Sequence, residues 1–344
     1  MRIAITGASG NAGTALLRNL QGQLSLKPGS LQVKGISRRL PDQSREPYAG
    51  IEWHTLDVGV ERDKPLLEAA LQGVDSVVHL AWQIQPNRDL EQLYRTNVEG
   101  TRNVLEAARR AGVKQVVCAS SVGAYSKAPK DRRTDESWPA TGMPGSHYSR
   151  HKAEQEQLLN RFMEAEPGIA VARLRPGLIF QGDAGSEIGR YFLGPLYPRI
   201  LPAAPRVPLL PAPDNLIFQA VHADDVADAY WRVIDQRASG AFNIAAEPVL
   251  TSRELAWILG ARRILPVPMR LLHKLVGLAW TLRLVPTDSG WVDMAAGAPI
   301  MDTGRARRIL GWEARTSSVD AVKEVLEGMG KGKGVGPSPV LKPR

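Results

Sequence analysis

Ile5-Thr6-Gly7-Ala8-Ser9-Gly10-Asn11-Ala12-Gly13 joins the apolar run Arg2–Ile5 to the helical run Thr14-Ala15-Leu16-Leu17-Arg18-Asn19-Leu20. A strand, a tight glycine turn and a helix in immediate succession form a site for a dinucleotide pyrophosphate. Unpaired N–H groups and the positive end of the helix both face an anion placed there. Gly7 permits the sharp turn, Gly10 lets the backbone approach the phosphates, and Gly13 lets helix and strand pack closely. Ser9, Asn11 and Ala12 share the turn and count with the glycines as dinucleotide contacts.

Outward from this turn, the chain alternates strand and helix for about its first half. Strand patterns occupy Arg2–Ile5, Leu31–Ile36, Ile51–His54, Ser76–Leu80, Gln115–Ala119 and Ala170–Leu174, and helical patterns occupy Asn11–Leu20, Leu66–Leu71, Leu90–Ala111 and Tyr148–Ala165. This order predicts an α/β protein with a Rossmann-type doubly wound parallel sheet. Near-continuous apolar runs such as Val74–Leu80 suit strands covered on both faces. Prolines at 195, 198, 202, 205, 208, 211 and 213 then break the pattern, and order resumes at Val221–Tyr230 and Ala241–Ala245. The expected organisation is a dinucleotide-binding domain over 1–175, to which 216–245 returns. A smaller, discontinuous C-terminal lobe for substrate follows over 176–215 and 246–328, with a disordered basic tail at 329–344.

Composition narrows the function. Hydrophobic residues make up 43% and charged residues 23%, as in ordinary globular chains. The net charge of +9 owes much to Lys331, Lys333, Lys342 and Arg344; without them 40 basic residues face 35 acidic ones. So mild an excess, with no aromatic–basic stripe, argues against nucleic acid. The lone Cys118 sits in a strand pattern and reads as core filler, which excludes an internal disulfide and suits a reducing cytoplasm. The most apolar helical run, Leu271–Val285, carries His273, Lys274 and Arg283 and reads as a lid or interface helix rather than a membrane element. No cleavable apolar segment precedes the first strand, so a cytoplasmic location is expected.

A second constellation carries chemistry. Tyr148 and Lys152 stand one helical turn apart on one face, and an ammonium beside a phenol lowers the phenol's pKa. The strand Gln115–Ala119 ends in Ser120-Ser121, whose hydroxyls could bind the same substrate oxygen. His147 and His151, four apart, lack a third ligand, so no metal is expected.

Together these motifs resemble the extended short-chain dehydrogenase/reductase family, also called NAD-dependent epimerase/dehydratase. The resemblance rests on Thr6-Gly7-xx-Gly10-xx-Gly13, Leu56-Asp57-Val58, His79-Leu80-Ala81-Trp82, Asn97–Thr101, Ser120–Tyr125, Tyr148-xxx-Lys152, Arg175-Pro176-Gly177, Val221–Ala227 and Leu310-Gly311-Trp312. It implies that Tyr148 is the acid/base, that Lys152 binds the nicotinamide ribose, and that Ser121 rather than Ser120 is the partner serine. It further implies that Asn97 supports the helix shaping the site, that Asp57 and Val58 meet the adenine edge, and that Leu80 and Ala81 lie beside the ribose. Trp82, Ser120 and Pro176 complete the expected cofactor contacts, and a homodimer through the helices at 90–111 and 148–165 is compatible with the family.

The end of the second strand bears on cofactor choice. Ser37-Arg38-Arg39 has no acid for ribose hydroxyls and two arginines for an extra phosphate, which favours NADP(H) over NAD(H). The dehydratases of the family place an Asp-Glu pair where this chain has Val122 and Gly123. The epimerases carry an Arg-Asp-aromatic run where it has Phe218, Gln219 and Ala220. The excursion is apolar, with Ile188, Tyr191, Phe192, Leu193 and Leu196, although Arg190, Arg199 and Arg206 are near. The expectation is hydride transfer at a carbonyl or hydroxyl carbon of a small, partly apolar molecule. A nucleotide-sugar 4-epimerase with tightly held NAD is the alternative, and a non-catalytic NAD(P)-sensing protein a further one.

Overall fold

Gly7 adopts φ +72°, and a Cβ there would lie 2.7 Å from the Ala81 backbone nitrogen, so only glycine turns the chain at this point. The computed structural model describes residues 1–26, 29–85, 88–192, 194, 207–213 and 215–343. Seven strands form one sheet: β1 (Arg2–Thr6), β2 (Gln32–Ser37), β3 (Glu52–Thr55), β4 (Ser76–His79), β5 (Gln115–Ala119), β6 (Ala170–Pro176) and β7 (Gly240–Ile244). Their order is β7-β6-β5-β4-β1-β2-β3, and every pairing is parallel. The order reverses between β1 and β4, which opens a crevice at the carboxyl ends of these strands.

Helices cover both faces. On one, α1 (Asn11–Leu26) packs against α7 (Ala223–Asp235), burying Leu16, Leu17 and Leu20 with Val226, Tyr230 and Val233. On the other, Leu67 and Leu71 of α2 (Lys64–Leu71), Val104 of α4 (Gly100–Arg110) and Leu159 of α5 (His147–Ala165) cover the strands. Each such aliphatic side chain, once fully buried, contributes about 1.5–3 kcal/mol. The helix expected over Leu90–Ala111 is broken: α3 (Leu90–Tyr94) passes through a π turn at Arg95–Glu99 before α4 begins. Such turns favour the placement of particular side chains over regular hydrogen bonding, and this one carries Asn97.

The chain beyond β6 contributes α6 (Gly185–Phe192), α8 (Ser252–Ile258), α9 (Met269–Thr281), α10 (Gly290–Gly297) and α11 (Ser318–Lys331), with paired short strands between them. Buried Asp225, at the start of α7, accepts the backbone N–H groups of Arg315 and Thr316, while the Trp312 indole donates to its carbonyl. The Val221–Ala227 and Leu310–Trp312 motifs therefore lock onto each other. Leu193, Leu196, Arg199 and Arg206 lie outside the described residues.

The tail departs from expectation. Instead of being disordered, it extends α11 to Lys331 and then folds back over the first turn. Val335 and Leu341 join the core beside Leu20 and Tyr48, and the Ser338 hydroxyl donates to the Ser9 carbonyl at 2.8 Å. A stretch so rich in glycine and lysine reads as disordered, but two of its few apolar side chains, Val335 and Leu341, are buried.

Candidate active site

The glycine turn meets α1 with the contacts its residue types require. A Cβ on Gly13 would lie 2.5 Å from the Gly7 carbonyl, so helix and turn touch as closely as backbone allows. Gly10 differs, because its nearest neighbour would be an ordinary 3.4 Å away. The fold does not need a glycine there. An approaching ligand would, and this cradle at the N-terminus of α1 fits a dinucleotide pyrophosphate.

A cleft of about 380 Å³ runs from this turn across the switch point. Gly7, Ser9, Gly10, Asn11, Ala12, Gly13, Arg38, Arg39, Asp57, Val58, Leu80, Ala81, Trp82, Ser120, Ser121, Tyr148, Lys152 and Pro176 all line it. Asn97 does not. Its amide clamps the Gln83 backbone, accepting from the N–H at 2.7 Å and donating to the carbonyl at 2.8 Å. It therefore shapes the loop after β4 and does not touch the cleft itself.

Ser121 and Tyr148 line the cleft together: the serine hydroxyl works against burial in setting the phenol's pKa, and it accepts the Gly123 N–H at 3.0 Å. Gly123 is constrained in turn, because a Cβ there would stand 2.9 Å from the Tyr148 ring. The Tyr148 ring lies 5.8 Å from Trp82 and 5.0 Å from Trp291, and Trp291 lies 5.0 Å from Phe192. Burial in this aromatic box pushes the phenol up to about 12.

Lys152 corrects the simple picture of a lysine that lowers the phenol's pKa. Its ammonium donates to the Ala119 carbonyl at 2.6 Å and to Gln155 Oε1 at 3.0 Å, and it sits 3.4 Å from the centre of the Trp82 ring. Burial lowers its own pKa to about 7. In this state desolvation outweighs any help that the lysine gives to Tyr148.

Ser120, next to Ser121, is committed elsewhere. Its hydroxyl donates to Glu156 at 2.6 Å, and Glu156 is gripped by Arg175 (2.8 and 2.9 Å) and Arg173 (2.8 Å). Burial opposes ionisation of this carboxyl, yet the two arginines hold it down to about 2. Two serines thus divide the work, with Ser120 anchoring the strand end and Ser121 facing the phenol.

At the far end of the cleft, Arg38 lies 3.8 Å from Asp57, and both of its terminal nitrogens lie 2.6 Å from the Gln83 amide when that amide turns its oxygen towards them. His79 is buried between the Thr6 and Thr101 hydroxyls, 2.7 and 3.0 Å away, and burial lowers it to about 3. It is a neutral structural histidine. His147 pairs with Asp288 at 3.2 Å, and His151 packs on Tyr94.

Several lining residues are not foreshadowed by sequence pattern. Trp291 and Met294 come from α10, Glu187 from α6, and Val340 from the tail. Nothing local marks them, since each reaches the cleft only through tertiary folding. Glu187 is buried, which pushes its carboxyl up to about 7.

Comparison with known proteins agrees with this geometry. The chain is 28% identical over 343 residues to an uncharacterized protein of Mycobacterium tuberculosis (strain ATCC 25618 / H37Rv), matching 97% of this chain and 31% of that protein. It is 33% identical over 181 residues to sterol demethylase protein B of Methylococcus capsulatus (strain ATCC 33009 / NCIMB 11132 / Bath), over 52% of each. The chain thus spans about a third to a half of the length of these relatives. Among solved structures, Thermus thermophilus UDP-glucose 4-epimerase in complex with NAD superposes with a TM-score of 0.68 at 21% identity, covering 96% of this chain and 99% of that one. The profile of the NAD dependent epimerase/dehydratase family matches residues 3–245, and the chain belongs to that family.

Proposed function

We propose that the protein is an NAD(P)-dependent oxidoreductase that reduces, or in reverse oxidises, a carbonyl or hydroxyl carbon of a small, partly apolar molecule. The observation carrying this reading is that Ser121, Tyr148 and Lys152 line the same cleft as the glycine turn. When bound, the nicotinamide dinucleotide supplies or accepts the hydride. Its diphosphate would rest on the Gly7–Gly13 turn, and Arg38 with Arg39 would meet an adenosine phosphate, favouring NADP(H). Leu80, Ala81, Asp57 and Val58 would line its ribose and adenine.

In the reductive direction Tyr148 gives its proton to the carbonyl oxygen as the carbon gains hydride, which yields the alcohol and a phenolate. Ser121 steadies the same oxygen. Lys152 binds the ribose hydroxyls and, drawn from the Ala119 carbonyl, stabilises that phenolate before solvent reprotonates it. The walls around Tyr148 are Trp82, Ile84, Phe192, Trp291 and Met294, which suit an apolar substrate body. The name of the Methylococcus relative, a sterol demethylase protein, is consistent with such a body. The space at Gly123 is filled by the phenol ring, so no acid can stand there for dehydration.

Steady-state consumption of NADPH and NADH with a panel of alicyclic and aromatic ketones tests the reading. Ketone-dependent oxidation of NADPH supports it. Tightly held NAD released on denaturation, with interconversion of nucleotide sugars and no net cofactor turnover, would assign a 4-epimerase, of which the Thermus neighbour is one. Cofactor binding without any turnover would assign a sensor.

A further inference from the structure

The stretch 255–287 contains Arg262, Arg263, Arg270, Lys274 and Arg283 and no aspartate or glutamate. Within it, α9 buries none of its side chains fully. Its inner side, with Leu272, Val276 and Trp280, is half-covered, and the helix packs on α10, whose Trp291 and Met294 wall the cleft. His273 reaches Asp293 of α10 at 3.4 Å, and Arg88 lies over Trp280. The outer side is unusual. Leu271, Leu275, Leu278 and Leu282 recur at helical spacing and are 47–60% exposed. Arg270 and Lys274 flank this stripe and are exposed as well.

We infer that the outer face of α9 docks on an anionic lipid bilayer, beside the mouth of the cleft. An exposed row of leucines edged by cations is the pattern of a helix lying in the interface plane, with apolar side chains inserted and cations at the headgroups. Thirteen residues span about 20 Å, enough to lie flat but short of the roughly 30 Å hydrocarbon core. No helix among the described residues is long and apolar enough to cross a membrane. A second copy of the chain is a poorer occupant, because pairing this face with itself would join two stretches that each carry five cations and no acid to offset them. The charges of this run, which argue against a membrane element on sequence grounds, oppose spanning and not lying flat. Delivery of an apolar substrate from the bilayer to Tyr148 rests on the proposed function. Docking itself does not.

The experiment is co-sedimentation of the full chain with phosphatidylcholine vesicles, with and without about 30% phosphatidylglycerol. The protein is expected to pellet with the anionic vesicles, weakly with the neutral ones, and less as salt rises. The double variant Leu275→Glu/Leu278→Glu should lose about tenfold or more in partitioning, with unchanged turnover of a water-soluble ketone. Arg270→Glu/Lys274→Glu should lose the preference for anionic lipid. A wild-type protein that stays in the supernatant with both vesicles overturns the inference, as does a double variant that pellets undiminished. So does a wild-type dimer, without vesicle binding, that the leucine variant splits. Failure of the oxidoreductase reading shows separately, as vesicle binding without ketone turnover.

Discussion

Ser120 donates its hydroxyl to Glu156 at 2.6 Å while its neighbour Ser121 accepts the Gly123 N–H in the cleft that holds Tyr148, so adjacent hydroxyls on one strand end serve different partners. That division predicts different losses. Ser121→Ala should lower kcat for ketone reduction by about 10- to 100-fold with little change in thermal midpoint. Ser120→Ala should act on stability instead, and the two are read from turnover and melting on the same preparations.

Glu156 is the centre of the buried cluster. Glu156→Gln leaves Arg173 and Arg175 without their counter-charge and should cost about 3–5 kcal/mol in urea unfolding. Because its folded pKa lies near 2, below the ordinary 4.5, the stabilisation is full above about pH 4.5 and is lost as pH falls through 2. The wild-type and variant unfolding curves should therefore converge only in strong acid.

Lys152 works in the opposite sense. Burial lowers its pKa to about 7 from 10.5, so the folded protein bears the cost of a buried ammonium below pH 7 and is relieved of it as pH rises towards 10.5. Lys152→Met should be more stable than wild type near pH 6, and that advantage should shrink towards roughly pH 10. Tyr148, raised to about 12, adds a kinetic counterpart. Alcohol oxidation needs the phenolate and should climb steadily with alkaline pH, whereas ketone reduction should not.

The glycines of the first turn separate packing from binding. Gly13→Ala forces a Cβ to 2.5 Å from a carbonyl oxygen and should cost about 1–3 kcal/mol of stability. Gly10→Ala, whose Cβ would meet the Gly7 carbonyl oxygen at an ordinary 3.4 Å, should stay within about 0.5 kcal/mol of wild type yet weaken dinucleotide binding. Fluorescence titration of the nicotinamide beside thermal melting distinguishes the two.

How much of this the chain announces depends on how local each feature is. The Gly7–Gly13 turn, the parallel sheet and the presence of Tyr148 and Lys152 on one helix follow from short-range pattern, whereas the lysine's partners, the Ala119 carbonyl and Gln155, do not. Trp291, Met294 and Val340 were not legible, because no spacing near them records that distant segments return to the cleft. Asn97 stands out in the sequence but its task does not, since the π turn at Arg95–Glu99 aims its amide at the Gln83 backbone. The tail misleads for a compositional reason: glycine and lysine dominate it, and the buried Val335, Ser338 and Leu341 are too few to register in an average.

Turnover of an apolar ketone by Tyr148→Phe, set beside its cofactor dissociation constant, bears most directly on the central claim. A fall of about 100-fold or more in kcat with cofactor affinity within about threefold of wild type is the predicted result. Undiminished turnover in the phenylalanine variant would contradict it.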